Sequence, residues 1–484
     1  MKKVLLAIAF CIVSVALCAR SFEVAVWRGE TRTAIVEDFA EIGEPPQGIT
    51  LKVGSLKSVK YAPQPKALER LEKLDRVVWG DNSSGYRVVE ISVDKDMMPG
   101  TYEIGALVVR VIDRVLPPAS QWKNYLDLWQ HPFAVARVAG EKPFSREHYR
   151  AMKSVWELLA TAGQKSLTVP ILDEPWDHQC YDAYYSLIKR VKKDDGTWSF
   201  DYRIFDEYVE FGRKCGIGPD ISCYTMCPWG YIVRYQNEKG ETQKIKACPG
   251  SREFDEFWEP FLKDFSKHLK EKGWFKDTYI AMDERSPEDV LYIAKFIQKH
   301  APGLRISMAG NRKPSDFDGI VIDNYSQILN HVTAGFLSEV ASRREKGFVT
   351  TFYVCCWPLY PNTFISSGRG EAFWLGAYPG VCGLDGFLRW AWNSWPHDPV
   401  KDASYWSWAA GDTYLCYPNG EPSWRFLALR NGIVASEKIR ILKSLGLFEK
   451  EFEDLKKLYD VSKAVSGKAD YAAIEAATLK LVNQ

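Results

Sequence analysis

The sequence predicts an α/β protein, a (β/α)8 TIM-like barrel preceded by a small N-terminal β-sandwich. After Trp122, short apolar runs alternate with amphipathic helical segments for long enough to supply eight strands. Before that point, β-type runs separated by Gly and Pro clusters indicate a sandwich. The other fold considered is a doubly wound open sheet. It is disfavoured because no Gly-rich phosphate-binding fingerprint follows an early strand.

Four segments are expected along the 484-residue chain: 1–19 a signal peptide, 20–115 the sandwich, 122–446 the barrel and 447–484 a C-terminal helical extension. Lys2 and Lys3 before an apolar run predict export to the periplasm or the extracellular space. Lipid anchoring at Cys18 is the alternative, disfavoured because the bulky Leu17 precedes it. No second long apolar stretch follows, so no transmembrane segment is expected in the mature chain.

The predicted elements can be placed in chain order. Sandwich strands are expected at residues 22–27, 49–53, 86–93, 100–104 and 107–112. Barrel strands are expected at residues 126–129, 166–172, 221–226, 278–284, 305–309, 320–323, 348–355 and 385–391. Helices are expected at residues 146–162, 205–215, 254–272, 287–300, 334–346 and 372–378. In such a barrel the functional residues lie at the C-terminal ends of the strands.

Charge balance and cysteine spacing give no support for a nucleic-acid partner, an anionic membrane or a zinc site. The 63 basic residues nearly balance the 62 acidic ones, which gives no support for a nucleic acid or an anionic membrane as partner. Removing Cys11 and Cys18 from the 11 cysteines leaves nine, an odd number that argues against complete disulfide pairing. The adjacent Cys355 and Cys356 have no His or Cys partners at zinc spacing. We therefore expect no metal and no organic cofactor.

The fourth predicted barrel strand ends in two adjacent acids, Asp283 and Glu284. Two neighbouring carboxylates cannot both be comfortably ionised in a partly desolvated site, so one is expected to hold a proton near neutrality. Glycoside cleavage needs such a division: a proton donor for the leaving oxygen and an anion facing the developing positive charge. The structural alternative is that Asp283 caps the next helix while Glu284 pairs with Arg285.

A second acidic pair, Asp173 and Glu174, ends the second predicted strand. If Glu174 faced Glu284 across the barrel mouth, an ordinary two-carboxylate glycosidase mechanism would follow, and the separation of the two groups would decide its stereochemistry. A loop-fixing role or a contact to a remote sugar hydroxyl is favoured for Asp173 and Glu174, because Pro175 stiffens the turn.

Aromatic, amide and charged residues at the strand ends are expected to bind sugar, because flat apolar rings with polar edges suit stacking on pyranoses. The predicted substrate-binding residues are Asp173, Trp176, Tyr224, Trp229, Asn324, Tyr325, Tyr353, Arg389, Trp390, Trp392, Asn393, Trp395 and Asp412. In strand geometry Trp390 and Trp392 share one face, which favours one Trp as core and another as sugar platform. We expect the platform to be Trp392 or Trp395. Asp412 could equally fix a turn.

Residues 280–285, 386–395 and 411–414, with Arg425 and Phe426, resemble the catalytic domain of glycoside hydrolase family 123, also described as a DUF4091-type domain. The resemblance covers roughly residues 122–446. One departure is Trp424, where relatives tend to carry a small or aliphatic residue. The resemblance implies a barrel behind a β-sandwich and exo β-N-acetylgalactosaminidase activity on terminal N-acetylhexosamines of glycans or glycosphingolipids.

The resemblance also implies a substrate-assisted, retaining mechanism. The 2-acetamido oxygen attacks the anomeric carbon, the residue at Asp283 stabilises the oxazolinium, and the residue at Glu284 protonates the leaving oxygen. Tyr353 or Tyr325 is suggested as the hydrogen-bond partner of the acetamido oxygen. The alternatives are another β-glycosidase using Glu174 and Glu284 as a pair, or a non-catalytic glycan-binding protein on a barrel scaffold.

Overall fold

A computed structural model describes residues 21–37, 41–81, 83, 85–317 and 319–484. The predicted signal peptide at 1–19 and Cys18 therefore lie outside the described residues. Within the described ranges, no helix combines the length and the apolar character needed to cross a bilayer.

The N-terminal region folds as two facing β-sheets. Strands β1–β7 are Phe22–Arg28, Thr31–Glu37, Ile49–Tyr61, Leu71–Trp79, Tyr86–Val93, Gly100–Ile104 and Leu107–Val115. One sheet has the order β2-β5-β3-β4 and the other β1-β7-β6, and Val26, Val89 and Val109 belong to the core between them. The sequence missed β2 and β4. Both are edge strands, where charged residues replace the alternation of apolar residues that marks a buried strand.

The remaining strands belong to the barrel or to its loops. Strands β8–β21 are Tyr125–Leu128, Ser166–Pro170, Lys189–Lys192, Trp198–Asp201, Asp220–Tyr224, Ile232–Asn237, Thr242–Lys246, Thr278–Asp283, Arg305–Gly310, Asn324–Ile328, Val349–Tyr353, Gly386–Arg389, Cys416–Tyr417 and Glu421–Pro422. Helices α1–α11 are Pro132–Ala139, Arg146–Ala160, Arg203–Lys214, Arg252–Glu271, Pro287–His300, Ala334–Glu345, Glu371–Cys382, Trp424–Ser444, Glu449–Leu458, Val461–Val465 and Tyr471–Val482.

Eight parallel strands, β8, β9, β12 and β15–β19, form one sheet that nearly closes into the predicted (β/α)8 barrel. The two edge strands, β8 and β9, are joined by a parallel bridge between Leu126 and Gln164. The long loops after β9 and β12 carry a separate small sheet of order β11-β10-β13-β14, which the sequence did not predict. The eight barrel strands follow each other around the barrel in chain order, so consecutive parallel strands are neighbours in the sheet.

The sixth barrel strand was predicted wrongly at residues 320–323, since the strand is Asn324–Ile328. The apolar run of Ile320, Val321 and Ile322 suggested a buried strand, but Val321 is 56% exposed. The actual strand buries Ser326 and Gln327, so its polarity hid it from a hydrophobicity pattern. Asn324 and Tyr325 consequently start this strand and do not stand at its C-terminal end.

Helix α8 connects the barrel to the sandwich through buried charges. Arg425 forms a salt bridge with Asp75 of β4 at 2.9 Å, and Lys438 forms one with Glu30 at 2.5 Å. Arg425 also donates to the carbonyl oxygens of Gly411 and Tyr414, at 3.1 and 2.9 Å. The guanidinium therefore fixes the loop that follows β19, on the side of the barrel where the strands end.

Candidate active site

A cavity of about 220 Å³ opens at the C-terminal ends of the barrel strands. It is lined by Trp129, Gln179, Trp229, Asp283, Glu284, Ala309, Tyr353, Cys355, Cys356, Leu388, Trp390 and Trp408. Ala309 and Leu388 come from barrel strands, whereas Gln179 and Trp408 come from loops. A (β/α)8 protein places its functional site at this end.

Asp283 and Glu284 both line this cavity. Asp283 is the last residue of β15, and Glu284 follows it with a φ of 28°. Neighbouring side chains on a regular strand point to opposite faces, so both acids can face one cavity only if the chain turns between them. The left-handed backbone at Glu284 makes that turn. A residue with a side chain is strained in this conformation, and such strain clusters at functional sites.

The alternative role for the acid pair, in which Asp283 caps α5 and Glu284 pairs with Arg285, is not what the structure shows. The N-cap of α5 is Ser286, whose hydroxyl accepts a hydrogen bond from the Asp289 backbone N–H at 3.1 Å. Arg285 donates through Nε to the backbone oxygen of Asp283 at 3.0 Å, and its guanidinium lies 4.0 Å from the centre of the Trp229 ring. Both acid side chains are therefore free of the capping role.

The Asp283 carboxyl is positioned by the Trp229 indole, which donates to Oδ2 at 3.3 Å. Burial, assisted by the negative charge of Glu284, raises the pKa of Asp283 to about 7, while Trp229, Arg285 and Trp176 act in the opposite direction. Burial dominates because removing water penalises the charged carboxylate more than these groups stabilise it. The free site therefore keeps a proton on Asp283 up to about neutral pH.

The raised pKa of Asp283 predicts a pH-dependent effect of Asp283→Asn on stability. The folded protein holds a proton that the unfolded chain releases at its ordinary pKa of 3.8, so this group makes stability fall as pH rises from about 4 to about 7. Asn carries no charge at any pH. We expect the variant to raise Tm by about 2 °C at pH 8 and to leave it almost unchanged at pH 4, as measured by thermal unfolding. Equal shifts at both pH values would contradict this.

Glu284 is held by two elements of the barrel. The Tyr353 hydroxyl, at the end of β18, donates to Oε1 of Glu284. The Glu284 backbone N–H donates to the carbonyl oxygen of Ala309 in β16 at 2.9 Å. Burial, with the neighbouring Glu284 charge, raises the pKa of Tyr353 well above its ordinary value, so the phenol stays protonated and remains a donor.

Aromatic rings form the walls of the cavity. Trp129 stacks on Trp176 with ring centres 5.3 Å apart, and Trp390 packs edge-on against Trp408 at 5.5 Å. The Trp390 indole donates to Asp412 Oδ1 at 3.0 Å, which fixes the orientation of the ring. Rings held in this way present flat apolar faces on which the apolar side of a pyranose can stack.

Comparison with known protein families assigns this chain to one of them. The model of the glycoside hydrolase 123 catalytic domain matches residues 129–442. The chain belongs to glycoside hydrolase family 123. The protein is accordingly a glycosidase whose substrate is a glycan, and the family resemblance noted in the sequence is confirmed.

One solved structure supports the fold, and two others are only distantly similar. A family 123 glycoside hydrolase from Clostridium perfringens, studied for glycolipid glycan hydrolysis, is 23% identical, with a TM-score of 0.80 over 96% of this chain and 94% of its own. A family 39 enzyme from Xanthomonas axonopodis pv. citri is 11% identical, with a TM-score of 0.37 over 68% of each chain. A family 20 β-N-acetylglucosaminidase is 9% identical, with a TM-score of 0.35 over 69% of this chain and 79% of its own. No curated protein matches the chain significantly.

In this family 123 chain, several residues predicted to bind sugar lie behind the cavity wall. Trp392 and Trp395, the expected platforms, are 0% and 1% exposed, and the Trp395 indole donates to the Cys416 carbonyl oxygen at 2.7 Å. Asn393 forms two hydrogen bonds with the His131 backbone, at 2.8 and 3.0 Å. Among Trp390, Trp392 and Trp395, it is Trp390 that lines the cavity.

Arg389 and Asp412 form a fully buried ion pair, with Nη2 and Oδ1 2.8 Å apart. Arg389 also donates to Asn362 Oδ1 at 2.9 Å. Because Asp412 Oδ1 accepts from both Arg389 and Trp390, the pair holds a cavity ring in place. Neither Arg389 nor Asp412 lines the cavity, and both act on it through Trp390.

Three more predicted residues lie on the side of the barrel around β9 and β12. Asp173 accepts a hydrogen bond from the Ser186 backbone N–H at 2.7 Å, which fixes the loop after β9. Trp176 and Tyr224 are buried and pack against each other with ring centres 5.0 Å apart. They support Trp129 and do not line the cavity themselves.

Asn324 and Tyr325 are both buried at the start of β17. The Tyr325 hydroxyl donates to the Arg312 backbone oxygen, so it already has a partner. Neither residue lines the cavity, whereas Trp229 and Tyr353 do.

Glu174 does not line the cavity either. Its Oε2 accepts from the His178 backbone N–H at 3.2 Å and lies 3.4 Å from the His178 ring nitrogen Nδ1. Burial is the main cause that raises the pKa of Glu174. Glu174 therefore binds His178 within the loop that follows β9.

Sequence reasoning did not select Trp129, Gln179, Cys355, Cys356 or Trp408 as site residues. The Trp129 signal was available, because it directly follows β8. Cys355 was predicted as the last residue of a strand that in fact stops at Tyr353, so Cys355 and the next residue, Cys356, stand beyond the strand at the cavity. Within the described ranges, no group of three or more His, Cys, Asp or Glu side chains is arranged to hold a metal ion.

Proposed function

We propose that the protein is an exported, retaining exo β-N-acetylgalactosaminidase that uses the 2-acetamido group of its substrate as nucleophile. The observation that carries this proposal is the pair Asp283 and Glu284, which line one cavity side by side. Among the residues lining that cavity, they are the only carboxylates. A mechanism with a protein nucleophile needs two carboxyl groups on opposite sides of the sugar, whereas substrate assistance needs an acid at the leaving oxygen and a second carboxylate beside the acetamido group.

The first step breaks the bond between the anomeric carbon and the leaving oxygen. The acetamido carbonyl oxygen attacks the anomeric carbon, Glu284 donates its proton to the leaving oxygen, and an oxazolinium forms. In the second step Glu284 takes a proton from water as that water attacks the same carbon. Two inversions at one centre retain its configuration.

Asp283 supplies the negative charge for the oxazolinium. In the free site its pKa is raised to about 7, chiefly by burial. When the substrate amide N–H donates to the carboxylate, the hydrogen bond favours the charged form of Asp283. The charged form of Asp283 is the one that the positively charged oxazolinium needs beside it.

The cavity walls account for terminal sugar recognition. Trp129, Trp229, Trp390 and Trp408 supply apolar faces, and Tyr353 supplies a hydroxyl beside Glu284. In our proposal the Tyr353 hydroxyl, which has one proton to donate, turns from Glu284 to the acetamido oxygen during the reaction. Ala309 and Leu388 line the cavity from the barrel strands, and the volume of about 220 Å³ favours release of a single terminal residue.

Glycolipid termini are the natural substrates to test first, because the Clostridium perfringens relative was studied for glycolipid glycan hydrolysis. Export rests on the N-terminal pattern of Lys2 and Lys3 before an apolar run. A non-catalytic glycan-binding role is less favoured, because backbone strain at Glu284 and the raised pKa of Asp283 are features of reacting sites.

A panel of β-linked aryl glycosides with one common leaving group tests this function. It contains the N-acetylgalactosaminide, the N-acetylglucosaminide and the galactoside, which lacks the amide. We expect the N-acetylgalactosaminide to give the highest kcat/KM and the galactoside to react about a thousandfold more slowly, because it has no internal nucleophile. Equal turnover of the galactoside would overturn the proposal, and faster turnover of the N-acetylglucosaminide would reassign the sugar.

A further inference from the structure

Two adjacent thiols in the wall of the active-site cavity have no role in the mechanism above. Cys355 and Cys356 begin two residues after the end of β18, and both line the cavity that holds Glu284. Their Sγ atoms are 4.0 Å apart, and Cys356 is exposed. Cys355 also donates through its thiol to the backbone oxygen of Trp357 at 3.4 Å. The other cysteines from Cys180 onward are outside the cavity lining.

We propose that Cys355 and Cys356 form a reversible redox-modification site, in which a disulfide between the two adjacent residues lowers the activity of the neighbouring acid pair. Its ligand class is a small-molecule disulfide, which reaches the exposed Cys356 through the open cavity. The inference does not depend on which sugar the enzyme prefers, because it concerns only the cavity wall and the position of Glu284.

The reaction balances as two thiol–disulfide exchanges. The Cys356 thiolate attacks one sulfur of the small disulfide, a mixed disulfide forms and one small thiolate leaves. Cys355 then loses its proton to solvent and attacks the Cys356 sulfur, releasing the second small thiolate. Both released thiolates take up protons as thiols. The small disulfide is reduced by two electrons and the cysteine pair is oxidised by two.

The local chemistry fits these steps. The contact with the Cys355 thiol lowers the pKa of Cys356, and the attacking species in such exchanges is the thiolate. The same interaction, with burial, raises the pKa of Cys355, so the exposed member of the pair reacts first. Consecutive Cα atoms are about 3.8 Å apart, below the usual separation in disulfides, so the ring is strained and easily reduced.

The expected effect on activity follows from the position of the pair. Forming the bond brings sulfurs that are now 4.0 Å apart to about 2.05 Å. The residues that must shift begin two positions after Tyr353, whose hydroxyl bonds Glu284. A displacement of about 1 Å at a reacting group can cost up to about a hundredfold in rate, and we expect about a tenfold loss of kcat/KM.

The test treats the purified full chain with oxidised glutathione and then with a monothiol reductant. Peptide mass spectrometry should show a loss of two hydrogens on the peptide carrying Cys355 and Cys356, and kcat/KM on any aryl glycoside that the enzyme cleaves should fall about tenfold and recover on reduction. Cys356→Ser should abolish the change, read as the ratio of oxidised to reduced activity within that variant. Cys355→Ser should form no internal disulfide and should instead keep glutathione on Cys356 as a mixed disulfide, seen as one added glutathione in the mass spectrum. Cys248→Ser, outside the cavity lining, should retain the change in activity.

The mass measurement is independent of any sugar, so it separates this inference from the proposed function. Failure to form the internal disulfide in the wild-type chain would overturn the inference. So would an internal disulfide that forms while kcat/KM stays the same, or an equal loss of activity in the Cys356→Ser variant.

Discussion

Replacing Glu284 by Gln is expected to lower kcat/KM on an N-acetyl-β-galactosaminide with a poor leaving group by about a thousandfold. Gln fills the same space and can accept from the Tyr353 hydroxyl, so the fold and the cavity are retained. It has no proton to give to the leaving oxygen. With an aryl leaving group that departs as a stable anion, the first step should therefore suffer much less.

The dependence on the leaving group separates acid catalysis from a structural defect. A variant that is merely misfolded loses activity equally on all substrates, so circular dichroism and the ratio of the two rates are measured together. Glu174→Gln is the matched comparison, because Glu174 is a second strand-end acid that does not line the cavity. A loss in Glu174→Gln as large as that in Glu284→Gln would support the two-carboxylate mechanism and contradict ours.

Replacing Asp283 by Asn is expected to lower kcat/KM on the N-acetyl substrate by about a hundredfold to a thousandfold. The oxazolinium would lose the anion that faces it, and the substrate amide would lose its acceptor. Because this loss arises in the reaction itself, kcat should fall along with kcat/KM. The same variant should be more heat-stable at alkaline pH, which is the opposite of what a folding defect would give.

Asp289→Asn provides the control for that experiment. Asp289 lies in the first turn of α5, accepts a hydrogen bond from the Tyr231 hydroxyl at 2.9 Å and does not line the cavity. We expect its kcat/KM to stay within about threefold of the unsubstituted enzyme, since it touches no reacting group. Activity in Asp283→Asn that matches this control would rule out a role for Asp283 in the reaction.

The sequence could predict the elements whose pattern is local. Strand β15 is an apolar run that ends abruptly at Asp283, and helix α5 begins at Pro287 as expected, so the acid pair could be located at a strand end. The pattern failed at β17, where the barrel interior is polar. It also missed β2 and β4, because edge strands carry charges along their exposed face.

Which residues line the cavity depends on how the chain turns after each strand. The spacing of apolar residues in the sequence does not encode those turns. Trp390, Trp392 and Trp395 look alike in sequence, but only Trp390 lines the cavity, since β19 ends at Arg389 and the chain then runs behind the wall. Gln179 and Trp408 meet at the cavity from distant loops, where the Trp408 indole donates to the Gln179 backbone oxygen at 3.0 Å. Such contacts between distant segments have no signal in a single sequence.

The proposal that adjacent acids act together with the sugar's own amide is tested most directly by weakening that amide as a nucleophile. Two aryl N-acyl-β-galactosaminides, one acetylated and one trifluoroacetylated, differ little in shape, but the fluorines withdraw electrons from the carbonyl oxygen. We predict that kcat/KM falls by at least about a hundredfold from the acetyl to the trifluoroacetyl substrate, because that oxygen attacks in the first step. Equal rates for the two substrates would contradict substrate assistance and point to a nucleophile supplied by the protein.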